Sequence, residues 1–199
     1  MSNRALLYSG GLDSFALLRA LRPKSVVHFI VDPKASKLAL RALAIENPEV
    51  EVYLFDHRPY LKSVRERLKR AGKFHYLCEA CKRGMIEKAS QFFEELIIGD
   101  SVGQVASQTL SNMSFITNGK VLLRPLAGSD KEDIEEFLSG NSANIARRVS
   151  SMTCPWKPLR VATATKRRDV IELEEIVLEE LANIRYLGMK TAQELTVMG

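Results

Sequence analysis

Ser9-Gly10-Gly11-Leu12-Asp13-Ser14 is the stretch on which the reading of this chain turns. A short apolar run, Arg4–Tyr8, precedes it. A segment with helical spacing, Asp13–Leu21, follows, with Phe15, Leu17, Leu18 and Leu21 on one face. Strand, glycine turn and helix start together form an anion site. Glycine lacks a Cβ, so the backbone can turn tightly and approach a bound group. The first N–H groups of a helix have no intrahelical acceptor and point out along the positive end of its dipole. Ser9 and Ser14 add hydroxyls, and Asp13 suits Mg²⁺ or the loop itself. A Ser-Gly-Gly turn alone is more often only a turn; six residues in this strand–loop–helix setting are a stronger pattern. The loop is not of the Walker type, because GxxxxGK[ST] is absent.

Outward from the loop, strands and helices alternate. Ser25–Val31 and Val50–Phe55 read as strands, and so do the apolar residues within Glu95–Gly99 and Val121–Arg124. Between and after them, Ser36–Ile45, Tyr60–Ala71, Glu79–Glu94, Val102–Leu110 and Asp130–Leu138 read as helices. The pattern predicts an α/β fold: a doubly wound, mainly parallel sheet of five strands, covered on both faces. Ser139–Ala164 reads as a long loop with a short helix near Asn144–Ser150, Asp169–Tyr186 as an acidic amphipathic helix, and Gly188–Gly199 as a further short helix. Residues 1–165 are therefore expected to form the main domain, and 166–199 a C-terminal helical extension.

At 199 residues with 46% apolar content, the chain can bury one full core. Its net charge of +5 fits a phosphate-bearing partner, ATP or RNA. No run reaches the roughly 18 apolar residues of a membrane helix, and the start lacks a signal-peptide layout. A cytoplasmic protein with no membrane partner and with reduced thiols is expected. Three cysteines, Cys78, Cys81 and Cys154, then point to metal or redox chemistry rather than to a disulfide framework. Cys78-x-x-Cys81 alone allows zinc (with His75 and Cys154 completing a four-ligand set), a redox pair, an iron–sulfur corner or two buried thiols. His28 lies in a strand and reads as a core residue; His57 falls at the sheet edge that the phosphate loop occupies. The basic residues of 58–70, Arg147-Arg148 and Lys166-Arg167-Arg168 read by default as solvated faces, and as a phosphate-tracking surface if they gather at the site mouth.

A second glycine turn stands in Gly99-Asp100-Ser101-Val102-Gly103-Gln104-Val105-Ala106-Ser107-Gln108-Thr109. Gln104 and Gln108, four apart, share a helix face. Spacing alone gives a capped helix with polar residues in solvent. Arg124-Pro125-Leu126 precedes Asp130-Lys131-Glu132, and Cys78-Glu79-Ala80-Cys81-Lys82-Arg83 lies upstream.

Ser9–Ser14 resembles the SGGxDS motif of PP-loop ATP pyrophosphatases, and the four motifs in order resemble the tRNA 4-thiouridine synthetase family (ThiI, tRNA sulfurtransferases) over roughly residues 4–165. The resemblance implies ATP with Mg²⁺ as cofactors. Ser9, Gly10, Gly11, Leu12, Asp13 and Ser14 would hold the β- and γ-phosphates and leave the α-phosphate open. Phe29, Ile30 and Val31 would meet the adenine, and Gly99, Asp100, Gln104 and Gln108 would complete the nucleotide site. Lys131 would neutralise the departing pyrophosphate, with Asp13 also in the catalytic set. Cys78, Cys81 and Cys154 match the cysteines that hold a [4Fe–4S] cluster in archaeal-type members; persulfide chemistry at Cys154, structural zinc and plain thiols stay open beside it. A carbonyl oxygen, such as uridine O4 in tRNA, would be adenylated and then replaced by sulfur. Full-length members also carry a ferredoxin-like segment, an RNA-binding THUMP domain and, in some, a rhodanese domain. This sequence matches the PP-loop part, so a stand-alone form is expected, using sulfide or a separate sulfur donor, a separate THUMP-type subunit and, as a further option, a homodimer. Two other readings are a PP-loop enzyme adenylating a small molecule and a nucleotide-binding subunit of a larger complex.

Overall fold

The computed structural model describes residues 3–101 and 109–197. Its centre is one sheet in the order β5-β4-β1-β2-β3-β6, built from β1 (Arg4–Leu7), β2 (Ser25–Ile30), β3 (Glu51–Asp56), β4 (Glu95–Ile97), β5 (Val121–Leu123) and β6 (Arg185–Thr191). The first five strands are mutually parallel, and β6 runs antiparallel to β3. Strand alternation explains the layering. Ala5, Val27, Phe29, Phe55 and Leu96 enter one core, while Leu6, Val26, Val52 and Ile97 enter the other. The first core is closed by residues of α3 (Arg58–Arg70), α4 (Leu77–Ala89), α5 (Leu110–Thr117) and α8 (Val170–Glu179). The second is closed by α1 (Leu12–Leu21), α2 (Pro33–Glu46), α6 (Lys131–Phe137), α7 (Asn141–Ser151) and α9 (Ala192–Val197).

This is the doubly wound, mainly parallel α/β fold that the alternation predicts. The chain order reverses between β1 and β4, so the loops leaving these neighbouring strands splay to opposite faces and open a crevice at their carboxyl ends. Those two loops are Ser9–Ser14 and the turn at Gly99–Asp100.

Two expectations are corrected. The sheet has six strands, not five, and the C-terminal extension is not purely helical. The helix expected over Asp169–Tyr186 ends at Glu179, and Arg185–Thr191 pairs along the open edge of β3. Packing outweighs the helical pattern here. Tyr186 meets Tyr53, Phe55 and Phe92 at ring separations of 6.4, 5.1 and 5.0 Å. Gly188, at φ +111°, sits where the register slips beside Leu54 and Phe55. Boundaries moved elsewhere. α2 begins at Pro33 because Asp32 caps it, accepting from the Lys34 N–H at 2.9 Å, and proline suits the first helical turn. The expected helix Val102–Leu110 lies mostly outside the described residues; Thr109 caps α5, its hydroxyl accepting from the Asn112 N–H at 3.3 Å.

Candidate nucleotide and thiol site

The phosphate loop is shaped by one glycine. Gly10 has φ +82°, and a Cβ there would stand 2.1 Å from that of Ala39 on α2. Both the conformation and the close approach require glycine. Four successive N–H groups then face hydroxyl oxygens. Those of Ser9 and Gly10 donate to Ser14 Oγ at 3.2 Å each, that of Gly11 to Ser9 Oγ at 3.3 Å, and that of Leu12 to Ser150 Oγ at 2.8 Å. A row of N–H groups held by side-chain hydroxyls can pass to phosphate oxygens without losing its hydrogen bonds.

The loop forms one wall of a cavity of about 430 Å³ at the crevice. Ser9, Gly11, Leu12, Asp13 and Ser14 line it, together with Phe29 and Val31 from the end of β2, Gly99 and Asp100 from the end of β4, and Cys154. Gly10 and Ile30 are not on its wall; the Gly10 N–H is engaged by Ser14, and the Ile30 carbonyl accepts from the His57 N–H at 3.1 Å. The Val31 carbonyl accepts from Trp156 Nε1 at 3.1 Å. Gln104 and Gln108 lie outside the described residues.

Charge in the cavity centres on two carboxylates. Asp13 is held above the usual carboxylate range, first by burial and then by Asp100, against the opposing pull of Lys131 and Lys82. A Cβ on Gly99 would stand 3.0 Å from Asp13 Cβ and Ser14 N, so glycine lets the end of β4 close onto the start of α1. Asp100, whose side chain is 3% exposed, is clamped by the Lys82 ammonium and, at 3.4 Å, by the Arg124 guanidinium. Lys131 opens α6 off the cavity wall, 65% exposed and 3.7 Å from Glu135, yet its charge reaches Asp13. The roles of Lys82, Arg124 and Ser150 escape sequence reasoning. Lys82 and Arg124 stand inside quoted strings, but nothing in the spacing says that both converge on Asp100.

The thiols come from two parts of the chain. Cys78 and Cys81 lie in the first turns of α4, and Cys154 follows α7. All three are free. Burial pushes the Cys78 thiol up to about 11, with Glu79 and Cys154 adding to it and Lys157 opposing. Burial also raises Cys81, helped by Cys78 and Cys154 and opposed by Lys82. Cys78 thus feels Cys154, and Cys81 feels both of them. Among the described residues, no group of three or more His, Cys, Asp and Glu side chains stands together closely enough to hold one metal ion. The zinc set completed by His75 is thus not assembled; the His75 ring lies 4.2 Å from that of Tyr76.

Two neighbours stay in the core. His57 is fully buried, and desolvation lowers it to about 3, against an opposing contribution from the Cys81 backbone. It packs between Phe29 and Tyr60 and does not line the cavity. Glu79 is fully buried and raised to about 7 by burial. One of its oxygens accepts from Asn112 Nδ2 at 3.1 Å, and Thr165 Oγ1 donates to Asn112 Oδ1 at 2.7 Å. His28 lines the cavity but is bound inward, its Nδ1 donating to the Tyr8 carbonyl at 2.8 Å.

With this geometry in place, the comparisons are specific. The family model described as "Thiamine biosynthesis protein (ThiI)" matches residues 3–178. A "Probable tRNA sulfurtransferase" of Methanocaldococcus jannaschii is 29% identical over 185 residues, covering 86% of this chain and 49% of the relative. Its counterpart in Methanothermobacter thermautotrophicus is 33% identical over 216 residues, covering 93% and 52%. The chain thus spans about half the length of these curated relatives. A solved structure, "Crystal structure of a 4-thiouridine synthetase - RNA complex with bound ATP", superposes with a TM-score of 0.68 at 22% identity, over 94% of this chain and 55% of that one. That likeness establishes the fold.

Proposed function

The chain belongs to the ThiI family, and from that membership and the geometry of its cavity we propose that it is an ATP-dependent sulfurtransferase acting on RNA, with uridine in tRNA as the substrate. One observation carries the reading: the phosphate loop, the Asp13–Asp100 pair and Cys154 share the wall of a single cavity. Activation by ATP and delivery of sulfur can then occur at one carbon.

The Ser9–Leu12 N–H groups take the β- and γ-phosphates, exchanging hydroxyl partners for phosphate oxygens. Asp100 adds to the cost of ionising Asp13; the two carboxylates would help hold a Mg²⁺ ion, which would offset phosphate charge. The uridine O4 attacks the α-phosphorus and pyrophosphate leaves toward the loop, with Lys131 close enough to Asp13 to share in neutralising it. Hydrosulfide, from free sulfide or a separate donor, then attacks the activated carbon beside Cys154, and AMP leaves. The soft donor set of Cys78, Cys81 and Cys154 suits an iron–sulfur cluster, which is larger than a single ion; bound there, it would supply an iron site for hydrosulfide. A THUMP-type RNA-binding unit, in a separate subunit, completes the proposal.

Pyrophosphate release with ATP and Mg²⁺ tests the first half. Stimulation by unmodified tRNA supports an RNA substrate, and turnover indifferent to RNA would place the chain among enzymes that adenylate a small molecule.

A further inference from the structure

Charge is distributed unevenly along this chain. It carries 29 Lys and Arg against 24 Asp and Glu. Between Glu136 and Asp169 there is no carboxylate side chain, while seven basic residues stand there: Arg147, Arg148, Lys157, Arg160, Lys166, Arg167 and Arg168. The rest of the chain, with 22 basic and 24 acidic residues, is net negative. The whole positive excess therefore resides in one segment.

That segment is stitched across the carboxyl edge of the sheet. Ser150 Oγ holds the Leu12 N–H of the phosphate loop. Trp156 Nε1 donates to Val31 at the end of β2. The Ala162 N–H donates to the His75 carbonyl at 2.9 Å, and the Lys166 N–H to the Tyr76 hydroxyl at 3.3 Å, both just before α4. On its inner side Val149, Ser150, Met152, Thr153 and Cys154 contribute to the cavity wall. On its outer side Arg148, Lys157, Arg160, Lys166, Arg167 and Arg168 are exposed, and none of the six makes a salt bridge among the described residues. The basic helix α3 differs in part: three of its six basic residues, Arg58, Arg67 and Lys69, are tied to Asp56, Glu179 and Glu66.

We infer that this strap, residues 147–168, is the surface on which the phosphate backbone of the RNA docks, placing the reactive base over Cys154. The inference rests on the RNA reading above and adds where the RNA lies. Exposed cations on the segment that also supplies part of the cavity wall neutralise phosphates with little desolvation and release condensed counterions as they do so. The contacts position the strand; the cavity selects the base.

The test uses the full chain and unmodified tRNA, with binding followed by fluorescence anisotropy across a salt series and ATP binding measured alongside. One variant carries Arg160→Gln, Lys166→Gln, Arg167→Gln and Arg168→Gln. A control carries Arg22→Gln, Lys24→Gln, Lys69→Gln and Arg70→Gln, the same charge change at the opposite edge of the sheet. The strap variant is expected to lose at least about tenfold in RNA affinity and to show a shallower log–log salt slope, by roughly 0.7 to 0.9 per phosphate contact removed. Its ATP affinity should be unchanged and the control should bind RNA normally. Equal losses in both variants, or none in either, overturn the inference while leaving the RNA reading standing. A wild-type chain that binds and turns over ATP but has no affinity for RNA overturns both.

Discussion

At the scale of single residues, the cavity depends on paired charges that no one motif contains. Lys82 lies 18 positions before Asp100, and the pair forms only because α4 and the end of β4 approach the same crevice. Glycines and serines of the phosphate loop are legible in sequence because their roles are local: a positive φ, a close approach, a hydroxyl. The Lys82–Asp100–Arg124 clamp is not, because it is set by packing. Lys82→Met should leave Asp100 with Arg124 alone and remove one of the two cations restraining Asp13. The expected result is a fall of about 10- to 100-fold in kcat/KM for pyrophosphate release, partly recovered by Lys82→Arg. Glu79 gives a pH prediction. Burial raises its folded pKa from the ordinary 4.5 to about 7, so the folded state holds this proton more tightly. Its stabilising contribution is full at low pH and is lost as pH rises between those values. Glu79→Gln should therefore gain stability over wild type through that window and level off above it, by as much as about 3 kcal/mol, read from urea melts at pH 5 to 8.

At the scale of elements, β1 to β5 are legible because each alternates or runs apolar between turn signals, and helices fill the gaps at the lengths that parallel connections need. β6 is not. Arg185–Thr191 follows a strongly helical acidic segment, and its pairing is decided by the uncovered edge of β3 and by the aromatic group of Tyr53, Phe55 and Phe92. Its loss should matter more than that of an appended tail. Ending the chain after Glu180 should expose the β3 edge to pairing with other copies, seen as soluble aggregate by light scattering. A monodisperse truncated protein of unchanged stability would show that the edge needs no cover.

At the scale of the whole molecule, two facts join. The order of strands opens the crevice between β1 and β4, and the strap of residues 147–168 crosses it, carrying Cys154 inward and the positive excess outward. The family was legible from four ordered motifs; the strap was not, because Ser139–Ala164 lacks periodicity and its course is fixed by hydrogen bonds to the phosphate loop, β2 and the start of α4. On the proposed reading, that crossing would bring ATP activation and sulfur delivery to one place. The most direct measurement of whether they act together is an anaerobic incubation with ATP, Mg²⁺, sulfide and unmodified tRNA, followed by mass spectrometry of the nucleosides. A new thiouridine that depends on ATP and falls at least about 100-fold in Cys154→Ala, with ATP binding intact, is the predicted result. Pyrophosphate release without any thionucleoside, or thiouridine formed undiminished by Cys154→Ala, would contradict it.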